Sequence, residues 1–122
     1  MSDASQTLLQ SGLTWLREQA LPRWGGDEGF DAASGSFVER FALSGQPMRD
    51  HPRRAMTQAR QIFVFAKAHR HGWLTGAGQR AELGWNCLVE RYWQTDGSPG
   101  WVFQCDARGT VIDGRRDFYG QA

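Results

Sequence analysis

Long apolar runs are missing from this chain. Nothing in it approaches the about 20 consecutive apolar residues that a membrane-spanning helix needs, so no membrane partner is expected. Cysteine is scarce: Cys87 and Cys105 are the 2 thiols, with neither metal-ligand spacing nor the pattern of a disulfide framework. No sign of charge dominates either. The 14 basic and 13 acidic residues leave a net +1, which gives no electrostatic reason to expect nucleic acid. Lysine is nearly absent, with Lys67 alone among the 14 basic residues, and genome composition explains that better than phosphate binding. The opening "MSDASQTLLQ" lacks the basic start and apolar run of a secretory leader, so a reducing cytoplasm is the expected setting.

What is present describes a folded domain. The 122 residues are 40% hydrophobic and 22% charged, a balance that excludes a disordered chain and allows one small domain with a core of its own. Six tryptophans, seven phenylalanines and two tyrosines are a heavy aromatic load. Core packing accounts for most of them, and a surface that stacks sugar rings is a second use.

Helical spacing of Leu8, Leu9, Leu13, Trp15 and Leu16 predicts a helix from Ala4 to Ala20, ended by Pro22. "RWGGDEGFDAASGSF" reads as a long loop, and "SFVERFALSGQPM" as two short strands around Ser44-Gly45. Asp50 and Pro52 resemble a helix start, giving a second helix from about Arg53 to His71 that stops at Gly72. A third helix spans Gly76 to Tyr92, with Leu83, Cys87 and Leu88 spaced to pack. "GWVFQCDARGTVID" predicts a hairpin turning at Asp106 to Gly109. In "RRDFYGQA", Asp117 is placed to cap a new helix that opens just before the last residue, Ala122. On this reading the chain is the front part of something longer.

Several motifs carry no chemistry. "GAGQRA", residues 76–81, fits a loose dinucleotide pattern but follows a helix instead of the strand that motif requires. Asp27, Glu28 and Asp31 lack the ligand alternation of a calcium loop, and no metal is expected. His69 and His71, two residues apart, diverge on a helix, where a zinc pair needs a spacing of four. Asp27, Glu39, Asp113 and Asp117 offer carboxylates without a spacing that pairs them for glycoside hydrolysis. Glu39, alternating with apolar neighbours, is read as a solvent-facing strand residue in preference to a carboxylate supporting a site.

The second helix holds the sharper question. At 100° per residue Arg60 shares a face with Met56, Phe63 and Lys67, while Ile62 and Ala66 lie opposite. Apolar residues cover most of the circumference, which predicts packing on several sides. A guanidinium buried there must be paired. Two readings stay open: a salt bridge to an acidic residue, or a cation held in a pocket for chemistry.

"GSFVERF", "HPRRAMTQARQ", "QARQIFVFAKAHRHGW" and "RRDFYGQA", in this order and spacing, resemble the N-acylglucosamine 2-epimerase superfamily. Its members include bacterial mannose and sulfoquinovose isomerases and cellobiose 2-epimerases. The resemblance implies an all-α fold, a partial (α/α)6 barrel holding about four of its twelve helices, with short β-hairpins in the connecting loops. Residues 1–122 would then form the N-terminal portion of a single sugar isomerase or epimerase domain. It implies a monosaccharide or short saccharide as substrate and no cofactor. Arg60 would act as the catalytic cation beside the reacting oxygen, and Tyr119 would bind the sugar. The family's acid–base histidines lie on later helices, and His51, His69 and His71 do not match them, so the chain alone is expected to be inactive. Unpaired helix faces would favour a homo-oligomer. A sugar-binding or interaction module without chemistry is the alternative.

Overall fold

The structure, a computed structural model, describes residues 2–122. Helices dominate it, with two small antiparallel sheets in the connections, so "all-α" fits only loosely. The first helix, α1 (Asp3–Trp15), is capped by Ser2, whose side chain accepts from Ser5 N. It runs into one π-helical turn over Leu16–Ala20 and then into α2 (Leu21–Gly25). Pro22 therefore does not end the helix as its sequence predicts. Leu21 N–H reaches back five residues to Leu16 O, and this wider turn absorbs the break that a proline without an N–H would impose.

The loop expected at residues 23–37 contains a two-residue hairpin, β1 (Phe30–Asp31) against β2 (Ser36–Phe37). Only one bridge, Phe41 to Pro47, marks the strand pair anticipated around Ser44-Gly45. β3 (Arg53–Arg54) replaces the expected first turn of the second helix. It pairs with β4 (Gln104–Cys105), which pairs with β5 (Val111–Asp113) in the predicted hairpin. Asp50 caps nothing among the described residues. The helix α3 (Ala55–Arg70) begins at Arg54, where the cap comes from a distant residue.

That residue is Glu39. Its carboxylate accepts from Arg54 N at 3.1 Å, Arg54 Nε at 2.5 Å and Thr57 Oγ1 at 3.1 Å. An anion at a helix N-terminus satisfies orphan N–H groups and opposes the positive dipole end. Glu39 is thus buried, not solvent-facing as its alternation suggested. α3 ends as predicted: Gly72, with φ +65°, turns left-handed, its N–H reaching His69 O while Trp73 N–H reaches Ala68 O. Those two bonds complete a Schellman stop. α4 (Ala77–Tyr92) then folds back along α3.

Two apolar clusters hold the elements together. Leu21, Phe30, Phe37, Phe65, Ala68, Ala77 and Ala81 form one; Ala55, Leu88, Tyr92, Val102 and Cys105 form the other; Ile62 packs against both. Phe37 lies edge-on to Phe30 and stacks on Phe65, with ring centroids 4.9 and 5.1 Å apart. Arg53, not Arg60, is the buried arginine. It donates to Ser34, Ser36, Asp31 and Arg49 O, tying β3 to the β1–β2 hairpin.

α3 buries Ala55, Gln58, Phe65 and Ala68, whereas Phe63 is 63% exposed. It packs on one side, not on several. On its buried side, Gln58 Oε1 accepts from Phe37 N at 2.9 Å, and Gln58 Nε2 donates to Phe37 O at 2.8 Å. Replacing Gln58 by leucine keeps most of the volume but orphans both backbone groups. We expect Gln58→Leu to lower unfolding free energy by about 2–4 kcal/mol, read by urea denaturation. A loss below about 0.5 kcal/mol, the scatter of ordinary surface changes, would show that the amide pair is dispensable.

Candidate active site

The face of α3 opposite its buried stripe carries Met56, Arg60, Phe63 and Lys67, the grouping expected from helical spacing. Lys67 Nζ lies 5.8 Å from the centre of the Phe63 ring. Arg60 is exposed and forms no ion pair with a carboxylate among the described residues. The salt-bridge reading is therefore not realised.

Its partner is a phenol. Arg60 Nη2 donates to Tyr119 Oη, and the Arg60 guanidinium carbon stands 5.5 Å from the centre of the Tyr119 ring. The two candidate residues are 59 positions apart in the chain and meet in space. Tyr119 sits on α5 (Phe118–Gln121), capped as predicted by Asp117, which accepts from Gly120 N at 2.7 Å. Side-chain hydroxyl and guanidinium are both solvent-accessible, Tyr119 being 60% exposed. Such a pair groups hydrogen-bond donors at one place on the surface, the guanidinium offering a planar fork of N–H groups.

Beside the pair lies a small apolar cleft of about 160 Å³. Met56, Ala59, Trp85, Leu88, Trp101 and Gly120 contribute to its walls. Ala59 and Gly120 are the chain neighbours of Arg60 and Tyr119. Complete small-molecule sites usually enclose about 300–1,000 Å³, and this cleft falls below that range. A larger concavity of about 800 Å³ runs along α1 and the π turn. A single helical segment lines it, it has no opposing wall, and it lies apart from Arg60 and Tyr119. Two wall residues of the small cleft also belong to a tryptophan group on the adjoining surface: Trp101 lies between Trp93 and Trp85, with ring centroids 4.8 and 6.3 Å away.

The remaining candidates are occupied structurally. His71 stacks on Trp73 at 4.7 Å, the His69 ring packs against Gly78, and neither meets Arg60 or Tyr119. Glu39 is committed to the start of α3 and Asp117 to the start of α5. Asp113 pairs with Arg115, and Asp27 lies 3.9 Å from Arg80. No two of these carboxylates face each other as a hydrolytic pair, and no metal-binding cluster of histidine, cysteine or acidic side chains occurs among the described residues. No helix among them is long and apolar enough to cross a membrane. Sequence reading missed Gln58 and Arg53 as the polar anchors behind α3. An amide inside an apolar run was the available signal for the first.

With that geometry in place, comparison with known proteins settles the family. The model for N-acylglucosamine 2-epimerase (GlcNAc 2-epimerase) matches residues 35–122, and the chain belongs to that family. It is 40% identical over 108 residues to a mannose-6-phosphate isomerase of Rhizobium meliloti (strain 1021), a match covering 88% of this chain and 27% of that protein. Its fold is similar to that of cellobiose 2-epimerase from Bacillus thermoamylovorans B4167, with TM-score 0.83 at 20% identity, covering 94% of this chain and 29% of that one. The cellobiose 2-epimerase of Spirochaeta thermophila DSM 6192 gives TM-score 0.82 at 18% identity, covering 98% and 29%. The chain thus spans less than a third of the length of these relatives.

Neither thiol belongs to the site. Burial pushes Cys105 up to about 11 and raises Cys87 as well, so both stay protonated, and hence poor nucleophiles, near neutral pH. A thiol reagent at pH 8 should label neither residue in the folded chain on the timescale that labels both in urea. Rapid native labelling of either would contradict the burial described.

Proposed function

We propose that this chain supplies one wall of the sugar site of an aldose–ketose isomerase or C2 epimerase, built on part of an (α/α)6 barrel. The observation that carries the reading is the meeting of Arg60 and Tyr119 at the rim of a cleft, in a chain of the N-acylglucosamine 2-epimerase family. Both reactions remove a proton beside a carbonyl, and negative charge then gathers on oxygen in an enediolate-like species. Arg60 stabilises that charge where it develops, which lowers the transition state more than the ground state. Tyr119 holds a sugar hydroxyl and orients the guanidinium. Proton transfer needs a base near neutrality, commonly histidine. The histidines of this chain do not contact the pair, so the base comes from outside these residues and the chain alone does not turn sugar over.

A non-catalytic sugar-binding role is the second reading, favoured by the group of Trp85, Trp93 and Trp101, of which the first two are exposed and the third half-buried. The two separate by where a sugar binds. With D-mannose as probe, calorimetry should show weak binding that Arg60→Ala weakens about tenfold, the low end for a charged hydrogen bond. Proton NMR in heavy water should show no exchange at C2 and no fructose. Binding indifferent to Arg60→Ala would overturn the assignment, and turnover by the chain alone would overturn the missing-base account. Exposed Leu8, Leu9, Trp15 and Phe63 should also drive self-association, seen in sedimentation as a mass above one chain; a strict monomer at all concentrations would contradict it.

A further inference from the structure

Tyr119 rides on a single helical turn that buries none of its residues, and its neighbour Phe118 is 93% exposed. One turn has too few internal hydrogen bonds to hold itself, and apolar packing does not fix this one. Two polar clamps flank Tyr119 instead. On one side, the Arg116 guanidinium takes both carboxylate oxygens of Asp96, at 3.0 and 2.6 Å. Its remaining donors reach Ser98 O and Pro99 O, each at 3.0 Å, and Gly114 O. On the other side, Gln121 Oε1 accepts from Trp101 N at 2.8 Å and Gln121 Nε2 donates to Trp101 O at 2.8 Å.

Both clamps grip the same segment, residues 96–101, which leaves α4 and folds back through the Trp93 to Trp101 bridge. Asp96 is tied into that segment by accepting from Ser98 N at 3.1 Å. Gly100, with φ +94°, completes the fit: a Cβ there would stand 2.4 Å from Gln121 Oε1. A planar fork that satisfies a carboxylate and three carbonyls at once is something lysine cannot reproduce.

We infer that Asp96 and Arg116 are positioning residues, which set the first turn of α5 so that the Tyr119 hydroxyl meets the Arg60 guanidinium. They touch neither Arg60 nor the cleft and act through Tyr119. The functional side of this inference rests on the reading of Arg60 and Tyr119 as sugar-binding residues; the geometric side does not. The Asp96 carboxyl is held down to about 2, chiefly by the hydrogen bond from Arg116, so the pair is charged throughout the range in which a sugar would be tested.

The test uses the 122-residue chain and reads the nuclear Overhauser contact between the Tyr119 ring and the Arg60 side chain, beside the melting temperature and D-mannose affinity. Arg116→Ala and Arg116→Lys should each lose most of that contact, with the melting temperature within a few degrees of the parent. Asp96→Asn, nearly isosteric, should lose at least about half of it, and serves should Arg116→Ala fail to fold. Asp96→Glu, which restores the charge, should recover more contact than the asparagine. Full contact in any folded Arg116 or Asp96→Asn variant overturns the inference. If D-mannose does not bind the parent while the contact is still lost on Arg116→Lys, positioning stands and the sugar reading fails. If Arg60→Ala abolishes binding but Arg116→Lys changes neither binding nor contact, the sugar reading stands and positioning fails.

Discussion

Gln58 and Phe37 exchange two hydrogen bonds inside the protein, and the placement of α3 depends on that exchange. β2 is only two residues long and cannot align a helix by strand pairing alone. The buried amide pairs both backbone groups of Phe37, as a neighbouring strand would. Because the unmet groups would be costly in an apolar setting, the pairing fixes the rotation of α3 as well as its position. Arg60, two residues further on, is thereby carried to the opposite, open face. Glu39 reinforces the same placement by anchoring the first turn through Arg54 and Thr57.

The site is assembled on this frame from two sides. α3 delivers Arg60 from a packed, twice-anchored helix. α5 delivers Tyr119 from a turn held by side-chain clamps to the segment following α4. A rigid cation thus meets a hydroxyl whose support is polar and exposed. Asp96 and Arg116 stand outside the cleft between α3, α4 and α5, whereas Gln121 and Trp101 of the other clamp form part of its wall.

Local signals made some of this legible. Gly72 and the Schellman bonds, the turn at Asp106 to Gly109, and the Asp117 cap all depend on residues within a few positions of one another. What escaped depends on partners far away in the chain. β3 is two residues whose strand character comes only from β4; Glu39 looked solvent-facing until Arg54 and Thr57 closed over it. Pro22 was misread because a π turn upstream accommodates it. The rotation of α3 put Met56, Arg60, Phe63 and Lys67 on one face as expected, but did not tell which face would be buried. The pairing of Arg60 with Tyr119 was within reach only through family resemblance, since no pattern predicts a contact between residues 59 positions apart.

The central claim is that a sugar oxygen is received at Arg60 and Tyr119. The most direct measurement is an NMR titration of the labelled chain with D-mannose, following the Arg60 Nε–H and Tyr119 ring signals together with the six tryptophan indole N–H signals. The account predicts saturable shifts centred on Arg60 and Tyr119, with one shared midpoint. Shifts confined to Trp85, Trp93 and Trp101, with Arg60 and Tyr119 unmoved, would contradict it.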